Sequence, residues 1–192
     1  MGVLPRSRDR DADEADLLAR VAAGDREAFQ ALVHRLAPRG QAVAARMLGS
    51  RSDAEDVLQD ALLRLWRDAG RFDQARGTRV ATWFHTILVN LCIDATRRRR
   101  PAAPLDEAAE VADPRADGDR ALAALDDSRR VAAALALLPV KQRAAITLCY
   151  FEGMSNADAA AVLETTVHAL EALLVRARRS LRSHLEPPGE DR

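Results

Sequence analysis

The chain has 192 residues, and its 29 basic and 29 acidic side chains cancel. No apolar run approaches the roughly 20 residues that cross a bilayer, and the opening MGVLPRSRDRDADEAD lacks the apolar segment of a secretory signal. Cys92 and Cys149 stand far apart in apolar surroundings, which suits neither a disulfide framework nor a zinc pattern, so a reduced, cytoplasmic protein is expected.

The charge is unevenly spread. Residues 1–100 hold 18 basic and 14 acidic groups, residues 101–127 hold 2 and 8, and residues 128–192 hold 9 and 7. An acidic strip therefore separates two mildly basic blocks. Ala, Leu, Arg and Glu dominate both blocks, and apolar residues recur at spacings of three and four, so the fold class expected is all-α. Residues 1–13 are charged and without pattern and are expected to form a flexible tail. A first helix is expected from about Asp13 to Ala23, ended by Gly24. Asp25 is placed to cap a second, with Phe29, Leu32, Val33 and Leu36 on one side. Pro38 is expected to break it or start a new helix.

A third helix is expected to open at Ser52, with Glu55 completing a capping box. Ala54, Leu58, Ala61, Leu62, Leu65 and Ala69 share one face, and Gly70 stops it. The opposite face carries Asp53, Asp56, Asp60 and Arg67, with Gln59 and Leu63 beside them. Such a face is either simply solvated or fitted to a basic partner. After a loop from Arg71 to Gly77, a fourth helix is expected from about Thr78 to Arg99. Val80, Trp83, Phe84, Ile87, Leu91 and Ala95 line one side, but Val89, Cys92 and Ile93 lie elsewhere around it, the mark of a central, buried helix. Its polar stripe is Arg79, Thr82, Thr86, Asn90 and Arg97, with Trp83 alongside, and it ends in four arginines, Arg97 to Arg100. A basic end suits the helix dipole. It also suits phosphate, and the stripe suits unpaired bases. On its spacing alone, Trp83 reads more readily as a core aromatic.

Residues 101–127, with three prolines and few large apolar groups, read as an acidic linker. A second helical domain is expected over 128–185, interrupted at Pro139, Gly153 and Glu164–Thr166, and residues 186–192 read as a tail. Within it, Ser155 and Asp158 form a second capping box, and residues 155–182 resemble a helix-turn-helix. Val167, Leu170, Leu174, Ala177 and Leu181 form the expected buried stripe of the longer helix. His168, Glu171, Ala172, Val175, Arg179 and Arg182 face the other way, where a helix lying in the major groove would read base edges. The turn lacks glycine, and an ordinary helical hairpin is the plainer alternative. No phosphate loop, metalloprotease helix or nucleophile elbow is present, and His34, His85, His168 and His184 are scattered. No enzyme activity, cofactor or metal is expected.

Four stretches, in order, resemble the extracytoplasmic-function (ECF) type of RNA polymerase sigma factor. These are LLARVAAGDREAFQALVHRLAP, SDAEDVLQDALLRLWRDAGRFD, TWFHTILVNLCIDATRRRR and LALLPVKQRAAITLCYFEGMSNADAAAVLETTVHALEALLVRARRSLR. The resemblance spans about residues 14–185. It implies a sigma region 2 domain over 14–100 and a region 4 domain over 128–185. It implies core RNA polymerase, promoter DNA and an anti-sigma factor as partners, in a stress or environmental response. By the same resemblance, Asp53, Asp56, Gln59, Asp60 and Leu63 would bind core polymerase. Arg79, Trp83, Thr86, Asn90, Arg97 and Arg98 would hold the minus-ten element. Thr166, His168, Glu171, Ala172, Arg176 and Arg179 would serve the minus-thirty-five element. Two rivals remain at this point: a stand-alone helix-turn-helix regulator, which has no use for the acidic face at 53–63, and a sigma-like sequestering protein without initiation activity.

Overall fold

A computed structural model describes residues 7–73, 77–99 and 129–185. The acidic linker, the C-terminal tail and Arg100 lie outside the described residues. The described residues form helices and connecting turns, with no strand among them. Four helices make the N-terminal domain: α1 (Ser7–Ala22), α2 (Arg26–Leu48), α3 (Arg51–Asp68) and α4 (Val80–Arg99). The C-terminal domain has α5 (129–137), α6 (Val140–Ile146), α7 (Asn156–Val162) and α8 (Val167–Leu185).

Helix α1 starts at Ser7, so the segment expected to be a flexible tail is helical from that residue. Asp13 is tied to Arg35 of α2 at 2.6 Å, and Ala15, Leu17, Leu18 and Val21 are buried. Asp25 caps α2 by accepting from the amides of Glu27 and Ala28. Contrary to expectation, α2 runs through Pro38 without ending. Only one ladder bond is forfeited there, and burial of Leu36, Gly40 and Val43 on either side holds the helix together. Gly40 is needed for its size. A Cβ there would lie 2.9 Å from both Leu58 Cδ1 and Phe84 Cε1, so α2 approaches α3 and α4 closely at this point. Gly49 closes α2 with φ +68, the left-handed conformation that glycine adopts without a Cβ penalty.

The cap of α3 is Ser50 rather than Ser52: the Ser50 hydroxyl accepts from the Asp53 amide at 3.4 Å. Glu55 instead pairs with Arg51 at 3.0 Å, one turn away. Helix α4 is central. Phe84, Leu88, Val89 and Cys92 are wholly buried, with Val80, Leu91 and Ile93 nearly so. Burial pushes the Cys92 thiol up to about 12, which keeps it protonated and unreactive. His85, also on α4, is 3% exposed. Its Nδ1 donates to the Ala81 carbonyl at 2.7 Å, because a carbonyl can only accept.

In the C-terminal domain, α6 runs into a π-helical segment, Thr147–Phe151, which no sequence pattern announced. The Glu152 amide bonds back to the Thr147 carbonyl at 3.1 Å, and Gly153 turns the chain at φ +65. The two domains are docked. Helix α4 packs against α6 and α7, and the end of α2 meets α6 and the π segment. One hydrophobic cluster runs through both domains, from Ala15 to Ala177. At its seam lies Arg143, which is 8% exposed. Its guanidinium donates to the Met47 carbonyl of α2 at 2.6 Å, and to the carbonyls of Ala136 and Leu138 at 2.5 and 3.2 Å. Desolvation lowers its pKa, and the carbonyls at the end of α2 supply the negative dipole end it faces. At under 60 described residues the C-terminal domain has a marginal core, and docking adds to it the apolar surface along the seam.

Candidate functional site

Three helix faces hold the residues singled out from the sequence. The first is the outer face of α3. Asp56, Gln59, Asp60 and Leu63 are all exposed, and Leu63 is 64% exposed, unusual for a leucine. Asp53, at the start of this helix, is half-buried. Opposite them Ala54, Val57, Ala61 and Leu65 are buried, so the face is carried on a fixed base. Leu58 and Leu62, expected on the core side, are half-buried and pack against the core, and Val57 joins them in the interior. Phe29 stacks edge-on against Trp66 at 5.0 Å and holds α3 to α2. Acids around one exposed apolar residue can dock on a basic surface with an apolar pocket.

The second face belongs to α4. Arg97 and Arg98 are exposed. Thr86 is half-buried and its hydroxyl donates to the Thr82 carbonyl, and Thr82, expected in the polar stripe, is buried. Trp83 is half-buried, with its ring 5.4 Å from that of Phe72. It thus forms part of the wall of the domain. Arg79 and Asn90 reach across to the other domain. Arg79 Nη2 lies 2.7 Å from Asp158 Oδ2, and Asn90 Nδ2 lies 3.5 Å from Glu164 Oε1.

The third face is that of α8, entered through a compact turn. Ser155 caps α7: it accepts from the Asp158 amide at 3.1 Å and donates to the Asp158 carboxylate at 2.7 Å. Ala159, Ala160 and Val162 are buried. Glu164 takes φ +49, the left-handed position that glycine fills in many such turns, so the missing glycine is replaced by a residue under backbone strain. Thr166, assigned to DNA by the resemblance, caps α8, its hydroxyl accepting from the Ala169 amide at 3.1 Å. Leu170, Leu174 and Ala177 are buried as expected, but Val167 is 42% exposed and Leu181 half-buried, so the buried stripe is shorter than the pattern suggested. His168, Glu171, Arg176 and Arg179 are exposed, and Ala172 is half-buried between them. Val175 stands 49% exposed in the middle of this face.

Sequence reasoning missed Arg143, Asp158 and Glu164 as partners of the N-terminal domain. The one signal for Arg143 was its place directly before the apolar residues Ala144, Ala145 and Ile146. Asp158 and Glu164 were accounted for locally, as a cap and a turn. Among the described residues no group of His, Cys, Asp and Glu could hold a metal ion, and no helix is long and apolar enough to cross a membrane.

Two helical domains, the second ending in a helix-turn-helix with a basic outer face, define a DNA-binding class of protein. The family model for Sigma-70 region 2 matches residues 32–102, and that for Sigma-70, region 4 matches residues 128–181. The ECF RNA polymerase sigma factor SigM of Mycobacterium tuberculosis (strain ATCC 25618 / H37Rv) is 39% identical over 172 residues, covering 88% of this chain and 82% of the relative. SigW of Bacillus subtilis (strain 168), another ECF RNA polymerase sigma factor, is 31% identical over 180 residues, covering 88% and 94%. Among solved structures, that of CnrH in complex with the cytosolic domain of CnrY is similar with a TM-score of 0.69 and 29% identity, over 90% of this chain and 97% of that one. A second, RpoE in complex with the anti-sigma factor NepR from Bartonella quintana, has a TM-score of 0.66 and 27% identity, over 82% and 96%. The chain belongs to the ECF family of RNA polymerase sigma factors.

Proposed function

We propose that this sigma factor docks on core RNA polymerase through the outer face of α3 and directs initiation at promoters read by α4 and α8. The observation that carries this reading is the α3 face itself: Asp56, Gln59 and Asp60 exposed around an exposed Leu63, on a helix whose other side is locked in the core. Asp53 borders that patch. On α4, Arg97 and Arg98 are available for phosphates, Trp83 offers a half-buried ring, and Thr86 and Asn90 offer polar groups to unpaired bases. On α8, His168, Glu171 and Ala172 stand where base edges would be read, with Arg176 and Arg179 toward phosphates. Thr166 contributes by fixing the start of that helix. Glu171 accepts hydrogen bonds, which fits the cytosine amino group.

The protein has no catalysis of its own in this reading. Capturing unpaired bases offsets the few kcal/mol lost as each base leaves the stack. It works in the cytoplasm as an alternative factor for a stress or environmental response. An anti-sigma factor holds it when idle, a role supported by the solved structure of RpoE with the anti-sigma factor NepR.

The test is run-off transcription on fragmented genomic DNA with core polymerase, comparing wild type with the Asp56→Arg, Asp60→Arg double variant. Wild type is expected to generate new starts sharing two spaced upstream motifs, and the variant to lose both core binding and those starts while keeping its helical content. Unchanged core binding by the variant would remove α3 from the mechanism. A stand-alone regulator would show that outcome.

A further inference from the structure

We infer that two valines of α8, Val167 and Val175, are specificity-determining residues that read thymine C5-methyl groups in the upstream promoter element. The inference deepens the reading of α8 proposed above and rests on it.

Ten residues of α8 are exposed, and eight of them are polar. The two exceptions are Val167 and Val175. Nothing in the helix itself calls for valine at either place. A β-branched side chain is a poorer helix former than the alanine, leucine and arginine that make up most of α8. Neither valine belongs to the buried line of Leu170, Leu174 and Ala177. Val167, Glu171 and Val175 follow one another at spacings of four, so they form one ridge with Glu171 in the middle. The two valines are thus about 12 Å apart along the axis at about 1.5 Å per residue, which matches about three to four base pairs. Val167 is the first residue of α8, directly after the Thr166 hydroxyl that caps the helix. That is the end of a recognition helix that contacts base edges.

The chemistry selects the occupant. At the base edges of the major groove the thymine C5-methyl is the distinctive apolar group, and the other features donate or accept hydrogen bonds. A valine isopropyl group makes no hydrogen bond. In the groove it favours that methyl and costs desolvation against the polar edge of any other base. Arg176, Arg178 and Arg179, all exposed beside Val175, fit a polyanion around the ridge. The rival occupant is an apolar protein segment seated in the groove that Val175 shares with Tyr150 and Met154, and the test separates the two. A DNA element read in this way has two thymines, on either strand, at the spacing of the valines, and the cytosine that suits Glu171 lies between them.

Holoenzyme assembled from core polymerase and the full chain provides the test. A start found by run-off transcription supplies the duplex. Each thymine of its distal upstream motif is replaced in turn by deoxyuridine, which removes the methyl and leaves every hydrogen-bonding group in place. Wild type is expected to bind about three- to fivefold less tightly when a contacted thymine is replaced, the worth of one buried methyl. Val175→Ala should lose this discrimination at one thymine and Val167→Ala at the other, each keeping it where its remaining valine stands. Alanine is the better helix former, so circular dichroism should show α8 intact in both. Leu137→Ala, which removes a more exposed apolar side chain from α5, should discriminate as wild type does. The inference is overturned if deoxyuridine costs wild type nothing at any position, or if both valine variants still discriminate as wild type does. It is equally overturned if the variants weaken binding to the thymine and deoxyuridine duplexes alike, the result expected when the valines seat a protein segment. Run-off transcription that yields no new starts would remove the reading of α8 itself, and the inference with it.

Discussion

Helices α4 and α8 are both assigned to DNA, yet they are built in opposite ways. Helix α4 is buried on most sides: seven apolar residues from Val80 to Ile93 are enclosed, and its polar groups are squeezed into one stripe and one end. Helix α8 has a single buried line, Leu170, Leu174 and Ala177, and a broad open face. In α4, the residues proposed for recognition therefore sit on the same helix turns as the core residues, and a substitution that shifts the helix would disturb both. In α8 they are separated by the helix itself. The outer face of α8 is free to vary, so base preference can change there without cost to the fold. That is consistent with His168, Glu171 and Ala172 forming a reading surface of this chain's own.

Chemical denaturation gives the sharpest test of this contrast. Phe84→Ala in α4 should cost about 3–5 kcal/mol, since it empties a fully buried site beside Gly40. Arg179→Ala on the open face of α8 should cost no more than about 0.5 kcal/mol and act on DNA binding instead. Comparable losses at the two positions would break the comparison. A smaller effect is expected at the start of α8. Thr166→Ala removes the hydroxyl that accepts from the Ala169 amide and should cost about 1 kcal/mol, with Thr166→Ser restoring most of it. If Thr166→Ala left the urea midpoint unchanged and weakened only DNA binding, Thr166 would belong to the reading face after all.

The least effect concerns pH and again sets α4 apart. Burial holds the His85 imidazole below its ordinary value of 6.5; the Ala81 carbonyl works against this, and the Arg39 charge adds to it. The unfolded chain takes up that proton near 6.5 while the folded chain resists. The stability contributed by neutral His85 is therefore complete above that pH and is lost as pH falls toward the lower folded value. Urea midpoints should decline over this range in wild type and decline less in His85→Leu. Helix α8 buries only Leu170, Leu174 and Ala177, so Leu174→Val should leave the slope with pH as in wild type.

Much of the fold could be read from spacing alone. The all-α class, the breaks at Pro139 and Gly153, the Asp25 and Ser155 caps and the all-round burial of α4 follow from local chemistry. So do the exposed residues of α3. What escaped depended on distant neighbours. Pro38 looks like a helix breaker until Gly40 is seen fitted against Leu58 and Phe84. Ser52 and Glu55 match a capping box as well as Ser50 and Asp53 do, and only the path of the chain out of Gly49 selects Ser50. Arg143 follows Lys141 and Gln142 like any other polar residue of a helix until the end of α2 arrives beside it. The pairing of Asp158 with Arg79 spans 79 residues, beyond any periodicity. The site was legible where a face is set by one helix, and illegible where two domains set it together.

The π segment at 147–151 carries a lesson about insertion and deletion. A turn closed by bonds from residue i to i+5 holds one residue more than the α-turn it replaces. Removing a single residue there would let the ladder revert to the ordinary repeat. The residues after it would keep their phase with α6, because the wide turn absorbs its extra residue locally. Removing one residue from the regular ladder of α6 would instead turn everything after it by about 100°. Phe151 would then leave its place beneath Arg46, and the helix-turn-helix would point elsewhere. Chain length is therefore more forgiving at the π segment than in the helix that leads into it.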